Sequence, residues 1–176
     1  KDVGFDLFQT MLKRAVEALR KGEKPDLDVW APRISIGLPV RLPDTYIPDP
    51  IERAETYWKL ASLETEEDLK EQAAELQATY GRLPKEARRF LLLLRLKQLC
   101  RQARVAELEA GRKGAVFTFR PGTVAPKALP LPRGFAGRIV RRKGGQLVVS
   151  TSWEDPKLRI KGLAGLLRGL IIAMDR

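Results

Sequence analysis

The feature that most constrains the fold is a stretch near the middle of the chain, Phe90–Leu96, that is apolar on almost every side of a helix. Pro84 precedes it and suits the first turn of a helix, so we predict one long helix from Pro84 to about Leu108. A helix that is apolar all round needs other elements around it. The 176 residues are enough for one ordinary domain with such a core.

Capping signals predict two helices before this one. Asp49 followed by Pro50 is typical of a helix start, because the aspartate accepts hydrogen bonds from free amides and proline fits the first turn. Thr65 begins a capping-box pattern, and Gly81 suits the end of the helix that follows it. The face of the first of these helices that we expect to be buried consists of Ile51, Ala54, Tyr57, Trp58 and Ala61.

Beyond Gly111 the pattern changes to that of strands. Residues 115–119 predict one strand, and residues 138–141 and 146–151 predict a hairpin that turns through Lys143-Gly144-Gly145. The prolines between them predict an irregular crossing or a short helix. A further short strand is expected around Ile34–Leu38. Together these elements predict an α+β fold, with helices packed around a long central helix and a small, mainly antiparallel sheet.

The last predicted helix begins at Asp155-Pro156. Its three glycines weaken it by roughly 1 kcal/mol each relative to alanine, which suggests that they allow close packing. These glycines are Gly162, Gly165 and Gly169. We expect Trp58 and Trp153 to be core anchors rather than ligand contacts.

The chain divides into three predicted regions. Residues 1–24 form a helix, residues 25–50 form a proline-rich linker with a short strand, and residues 51–176 form the main domain. The apolar stretches are too short to span a bilayer, so no membrane partner is expected. A single cysteine, Cys100, indicates a reducing compartment and an inert core thiol, and we expect a cytoplasmic location.

The sequence lacks the residue types and motifs of the common catalytic sites. There is no histidine, one cysteine cannot build a zinc site, and no phosphate-binding P-loop pattern is present. We therefore expect no enzyme activity, no metal and no cofactor in this chain.

Charge is distributed unevenly along the chain. Residues 1–84 carry 12 Lys or Arg and 16 Asp or Glu, a net charge of −4. Residues 85–176 carry 21 Lys or Arg and 6 Asp or Glu, a net charge of +15. The basic half could attract nucleic acid through its phosphates, or it could be a general solubility feature.

An acidic ridge is predicted on the helix that follows Thr65. Glu67, Glu71 and Glu75 recur every four residues and therefore share one face of that helix. Like charges at this spacing repel one another by about 0.2–0.5 kcal/mol per pair. The ridge is either a solvated surface or a contact for a basic partner.

Two groups of basic residues are expected in the second half of the chain, and the first is a candidate nucleic-acid contact. Arg138, Arg141, Arg142 and Lys143 surround the predicted hairpin turn and could grip phosphates, or they could be solvated or make contacts within the domain. A second strip is expected on one face of the long helix, where it could cover acidic surface. This strip consists of Lys97, Arg101 and Arg104.

Residues 43–84 carry a family resemblance. The segments concerned are Pro43-Asp44-Thr45-Tyr46-Ile47-Pro48-Asp49-Pro50, Arg53, Tyr57-Trp58-Lys59-Leu60-Ala61-Ser62 and Tyr80-Gly81-Arg82-Leu83-Pro84. Their order and spacing resemble the C-terminal, regulatory domain of the bacterial transcription-repair coupling factors (Mfd). The segment Val3-Gly4-Phe5-Asp6-Leu7-Phe8 resembles the last helix of that family's translocase module. The likeness extends over residues 1–120 and becomes faint after Pro121.

The resemblance implies a regulatory function rather than a catalytic one. Members of the family are ATP-hydrolysing DNA translocases that clear stalled RNA polymerase and recruit DNA excision repair, and their ATP and magnesium are bound by a motor that this chain lacks. Their C-terminal domain docks on the N-terminal module of the same protein and masks the surface that recruits UvrA. The family contact pattern, Glu-Leu-x-Asp-Arg-aromatic-Gly, corresponds here to Glu75-Leu76-Gln77-Ala78-Thr79-Tyr80-Gly81.

The expected partner-binding residues follow from that pattern and from the acidic ridge. They are Glu71, Glu75, Leu76 and Tyr80. The family's Asp and Arg positions hold Ala78 and Thr79 in this chain. The alternative function is a basic nucleic-acid-binding module of another helicase-like protein, in which DNA would be the partner.

Overall fold

The computed structural model describes residues 16–18, 20–22 and 31–175. The chain divides into two compact units, residues 1–31 and 32–176. In the first unit, residues 16–18 and 20 are helical and residues 21–22 form a turn, whereas the other residues of the predicted 1–24 helix lie outside the described residues. The second unit includes residues 32–50, which are most of the segment 25–50 that we predicted to be a proline-rich linker.

The second unit contains four helices and five strands within residues 31–175. They run in the order β1 (Arg33–Ser35), α1 (Pro50–Ala61), α2 (Glu66–Tyr80), α3 (Lys85–Gln102), β2 (Val105–Gly111), β3 (Gly114–Phe119), β4 (Arg138–Arg142), β5 (Gln146–Ser150) and α4 (Pro156–Met174). The strands form one sheet in the order β1-β2-β3-β5-β4. Only β1 and β2 pair in parallel, so the predicted α+β fold with a mainly antiparallel sheet is confirmed.

Helix α3 connects two hydrophobic cores. Ala87 and Leu94 of this helix belong to a cluster shared with α1, α2 and the segment around Tyr46, which we call the helical core. Its second half contributes Leu96 and Cys100 to a larger cluster between the sheet and α4, which we call the sheet core. The long helix is therefore central, as its apolar sequence predicted.

The predicted helix starts are confirmed by their hydrogen bonds. The Asp49 carboxylate accepts from the amides of Ile51 and Glu52, at 2.7 and 3.1 Å. The Thr65 hydroxyl oxygen accepts from the Asp68 amide at 3.1 Å. At the last helix, the Asp155 carboxylate accepts from the amide of Lys157 at 2.9 Å. Each bond satisfies a donor that the first turn of a helix leaves open.

The predicted end of the long helix was wrong. Helix α3 ends at Gln102, and Arg104 takes a positive φ of 53° before strand β2 begins at Val105. Residues 105–111 pair with β1 on one side and with β3 on the other. The predicted face of α1 was also wrong, because Ile51 and Trp58 are 69% and 45% exposed, whereas Leu60 is buried.

The glycines of α4 allow close packing, as expected. A Cβ atom at Gly169 would lie 2.2 Å from the carbonyl oxygen of Pro130, and one at Gly165 would lie 2.6 Å from the Pro132 ring. A Cβ atom at Gly162 would overlap the Trp153 ring, which is buried. The irregular proline-rich crossing therefore lies directly on α4.

A buried arginine joins the start of α4 to the segment after β1. Arg159 is 3% exposed, and its guanidinium donates to the carbonyl oxygens of Ile36 (2.9 Å) and Trp153 (3.0 Å). Its Nε atom has no hydrogen-bond partner. Since Ile36, Leu42 and Ile47 are themselves buried, the segment that leads from β1 to α1 is part of both cores.

Candidate functional site

The predicted acidic ridge lies on the exposed side of α2. Glu67, Glu71 and Glu75 are all solvent-exposed, and helix α2 carries five carboxylates against a single lysine. One of those carboxylates, Glu66, accepts from Lys70 and Arg95 and is therefore neutralised within the domain. The remaining exposed acids give this side of α2 a net negative surface.

A shallow groove of about 180 Å³ runs between α1 and α2 beside the last acid of the ridge. Its walls include Thr56 and Lys59 from α1 and Glu75, Thr79 and Tyr80 from α2. The groove therefore contains two of the four residues expected to bind a partner, Glu75 and Tyr80, at its exposed rim. A third, Leu76, forms part of its floor.

Glu75 already has a cationic neighbour within the domain. Lys59 Nζ donates to Glu75 Oε2 at 3.0 Å, and the two side chains are 53% and 57% exposed. The hydrogen bond and charge of Lys59, together with a hydrogen bond from Gln72, hold the pKa of the Glu75 carboxyl below its ordinary value. Glu75 is thus ionised at neutral pH, and its exposed ion pair contributes little to stability.

Two tyrosines fix the end of α2. The Tyr46 hydroxyl donates to the carbonyl oxygens of Leu76 (3.1 Å) and Gly81 (2.9 Å). The Tyr80 hydroxyl donates to Glu52 Oε2 at 3.1 Å, and the two rings are 5.7 Å apart. Burial and the neighbouring Glu52 carboxylate raise the pKa of Tyr80, which keeps its hydroxyl protonated as a donor.

The remaining residues of the family contact pattern divide between core and surface. Leu76 is 7% exposed and belongs to the helical core, so its side chain supports the groove from below. Ala78 and Thr79 are exposed on the last turn of α2. Sequence reasoning missed Lys59, which lies on the adjacent helix α1, because pairing between helices is not visible in the periodicity of either helix. The expectation that Trp58 is a core anchor was wrong, because its side chain is 45% exposed.

The four cations of the hairpin do not act alike. Arg141 donates through its guanidinium to the carbonyl oxygens of Pro126 and Lys127, so it holds the proline-rich crossing against β4. Arg138, Arg142 and Lys143 are exposed. They belong to none of the ion pairs found among residues 31–175.

The second predicted basic strip is not a single helical face. Lys97 and Arg101 lie on α3, but Arg104 lies beyond the helix, where its positive φ redirects the chain into β2. Its carbonyl oxygen accepts from the Arg120 amide at 2.9 Å. The helix ends before the residue that would have completed the strip.

Other site chemistry is sparse in the described part of the chain. Among residues 16–18, 20–22 and 31–175, no group of three or more His, Cys, Asp or Glu side chains could hold a metal ion. No helix in these ranges is long and apolar enough to cross a membrane. Burial raises the pKa of Cys100 to about 12, which makes its thiol unreactive near neutral pH, as a core thiol is expected to be.

Comparison with known proteins gives consistent matches. Residues 36–128 match the family model for the TRCF domain. The chain is 37% identical over 120 residues to the transcription-repair-coupling factor of Escherichia coli (strain K12), covering 66% of this chain and 10% of that protein. It is 32% identical to the same factor of Mycobacterium bovis (strain ATCC BAA-935 / AF2122/97) over 186 aligned positions, 98% of this chain and 15% of that protein.

The fold also matches a solved structure, the crystal structure of the C-terminal domain of a transcription-repair coupling factor. The TM-score is 0.69 at 20% sequence identity, over 84% of this chain and 98% of that one. The chain spans about a tenth of the length of the Escherichia coli relative. The family-model match includes the α1–α2 groove but ends before the β4–β5 hairpin.

Proposed function

The chain belongs to the transcription-repair coupling factor family, and its fold is that of the family's C-terminal domain; from this premise we propose that it is an interaction domain that restrains its parent protein. It docks through the acidic side of α2 on the N-terminal module of the same protein. The parent is an ATP-driven DNA translocase that acts in transcription-coupled DNA repair in the cytoplasm. This membership replaces the alternative of another helicase-like parent.

The observation that carries the proposal is the exposed acidic ridge that ends at Glu75 beside the α1–α2 groove. It lies within the residues matched by the family model, and its lower side is fixed to the helical core through Leu76 and Tyr46. A row of carboxylates on a rigid helix favours a basic partner surface and orients it.

The ion pair between Lys59 and Glu75 can be exchanged for an ion pair between Glu75 and the partner. Both side chains are more than half exposed, so opening the pair costs little in water. A basic residue of the partner can then replace Lys59 at the Glu75 carboxylate. With Ala78 and Thr79 at the family's charged positions, more of the contact depends on Glu71 and Glu75 than the family pattern requires.

Docking would regulate repair by covering the surface of the N-terminal module that recruits UvrA. The domain is released when the motor engages DNA and stalled RNA polymerase. A free-energy difference of about 2–3 kcal/mol keeps most molecules in the docked form, because each 1.4 kcal/mol changes the ratio tenfold. A weak, polar interface between domains is sufficient for this.

The first test is titration calorimetry of this chain against the isolated N-terminal module of its own parent protein. Glu71→Lys combined with Glu75→Lys places two positive charges on the ridge, and we expect an affinity loss of about tenfold or more. Glu154→Lys, a reversal at a 70% exposed carboxylate outside the ridge, is the matched control and leaves binding unchanged. No association at tens of micromolar would contradict docking.

A second measurement separates docking from masking. In the full-length parent, the Glu71→Lys and Glu75→Lys changes should increase UvrA binding relative to the unchanged protein. Docking without this increase would mean that the domain covers a different surface, and the masking part of the proposal would be wrong.

A further inference from the structure

We propose that the end of the sheet at the β4–β5 turn binds the phosphate backbone of double-stranded DNA without reading its sequence. The surface, which we call the basic sheet end, has Arg142 and Lys143 at this turn and Arg104 at the same end of the sheet, and it extends along β4 to Arg138 at the other end of that strand. Except for Arg104, it lies outside the residues matched by the family model, and it is on different elements from the acidic ridge. It would give the domain a second contact, independent of docking.

The fold places Arg104 at the same end of the sheet as the β4–β5 turn, although the two are distant in sequence. The Phe119 amide donates to the carbonyl oxygen of Gly145 at 3.0 Å, which places the β4–β5 turn beside the end of β3. The Arg120 amide donates to the carbonyl oxygen of Arg104 at 2.9 Å, which places the start of β2 at the same end. In the sequence, Arg104 lies far from the hairpin, and we had predicted that it belongs to the long helix.

Strand geometry sets the spacing of the cations along β4. Arg138 and Arg142 are paired with Ser150 and Gln146, respectively, and since side chains alternate along a strand they share one face of the sheet. Four residues of extended chain separate them by about 13 Å. Both side chains are exposed, so the edge of the sheet presents a line of positive charge that can follow several phosphates of one backbone.

The surroundings of the basic sheet end contain few carboxylates. From residue 110 to residue 153 the sequence has no Asp or Glu and has nine Lys or Arg residues. On the sheet row that contains Arg142, the pairing leads through Gln146 and Thr118 to Glu107, three strands or about 14 Å away. Glu107 is itself paired with Arg33 at 3.1 Å. Cations therefore outnumber carboxylates around the hairpin turn.

The other side chains at this surface favour DNA over a protein partner. Protein interfaces of useful affinity usually have a buried aromatic or apolar centre, whereas between the two arginines only Val140, 38% exposed, is apolar. Single-stranded nucleic acid needs exposed aromatic rings on which bases stack. The nearest ring in the sequence, Phe135, packs against the sheet core. Contacts limited to phosphates fit a duplex.

The test is fluorescence anisotropy of this chain with a short labelled DNA duplex, at salt concentrations between about 50 and 200 mM. Each phosphate contact contributes about −0.9 to the slope of log affinity against log salt. We expect Arg142→Gln combined with Lys143→Gln to reduce the magnitude of that slope by roughly two. The matched control is Lys157→Gln combined with Lys161→Gln, which removes two exposed charges from α4 and should leave the slope unchanged.

Three outcomes would overturn the proposal. The first is the absence of salt-dependent binding by the unchanged chain at the lowest salt concentration. The second is an equal change of slope in both double variants, which would mean that binding follows net charge alone. The third is displacement of the duplex by polyglutamate as effectively as by unlabelled duplex of equal charge, which would identify the surface as one for acidic protein.

Discussion

The helical core and the sheet core support surfaces of opposite charge. Around the helical core, α2 exposes a row of carboxylates beside a groove with an exchangeable ion pair. Around the sheet core, β4 and its turn expose cations in a region with no acid between residues 110 and 153. A single helix, α3, contributes side chains to both cores. The two surfaces that we propose as contacts for different partners are therefore joined through one helix.

The largest expected effect tests whether the two cores are one cooperative unit. Phe117→Ala, in the sheet core, should lower the free energy of unfolding by about 3–5 kcal/mol, and Leu60→Ala, in the helical core, by about 2–5 kcal/mol. Since α3 joins the cores, each variant should still unfold in one transition. Urea unfolding followed by circular dichroism and by tryptophan fluorescence measures this.

The thiol of Cys100 provides an independent test of whether the helical core and the sheet core unfold together. Because Cys100 is fully buried and burial also raises the pKa of its thiol to about 12, a thiol reagent at pH 8 reacts only after the sheet core opens. If Leu60→Ala produced an early loss of helix while Cys100 stayed protected, the two cores would be separate units. The expectation of one cooperative unfolding transition would then be wrong.

The next effect concerns the segment that passes between the cores. Arg159→Ala removes the donors to the carbonyl oxygens of Ile36 and Trp153 and leaves a buried cavity, so we expect a loss of about 3 kcal/mol. Thermal or urea unfolding measures the loss. Lys161→Ala, an exposed change on the same helix, is the control and should stay within about 0.5 kcal/mol.

A smaller effect separates the two neighbouring arginines of β4. Arg141→Gln should lower stability by about 1 kcal/mol, because its donors hold the carbonyls of the proline-rich crossing. Arg142→Gln should leave stability within about 0.5 kcal/mol and weaken DNA binding instead. Urea unfolding and anisotropy on both variants measure the difference. Equal stability changes would mean that Arg141 is only another surface charge.

The smallest effect concerns the ion pair of the acidic ridge. Because the pKa of Glu75 is depressed, the pair stabilises the folded chain above the ordinary pKa of the carboxyl, and this contribution is lost as the pH falls through the lowered value. Lys59→Ala should return the Glu75 pKa towards its ordinary value in an NMR titration of the carboxyl carbon. Lys70→Ala, which removes one of the two cationic partners of Glu66, should leave the lowered pKa of Glu75 unchanged.

Local signals predicted the starts of the helices well, because a cap is formed by residues close together in sequence. Asp49, Thr65 and Asp155 each accept a backbone amide within three residues. The helix prediction continued to about Leu108 because Ala106, Glu107 and Leu108 are good helix formers. Pairing on both sides, with β1 and β3, outweighs that propensity and makes these residues part of a strand.

The candidate sites were predicted in part. The spacing of Glu67, Glu71 and Glu75 placed them on one exposed face, and the structure agrees. The pairing of Lys59 with Glu75 joins residues 16 positions apart on different helices, which no periodicity reveals. Among the four hairpin cations, only the fold distinguishes Arg141, whose donors are used within the domain, from its exposed neighbours.

The sequence by itself determined the fold class, the family and the opposite charges of the two halves, because these depend on composition, local caps and the order of residues 43–84. The tertiary structure alone decided which charges are available. It paired Glu75 with Lys59, buried Leu76 and Arg159, and brought Arg104 to the hairpin turn. Contacts between residues distant in sequence settle these outcomes, and the energies of such contacts exceed local preferences.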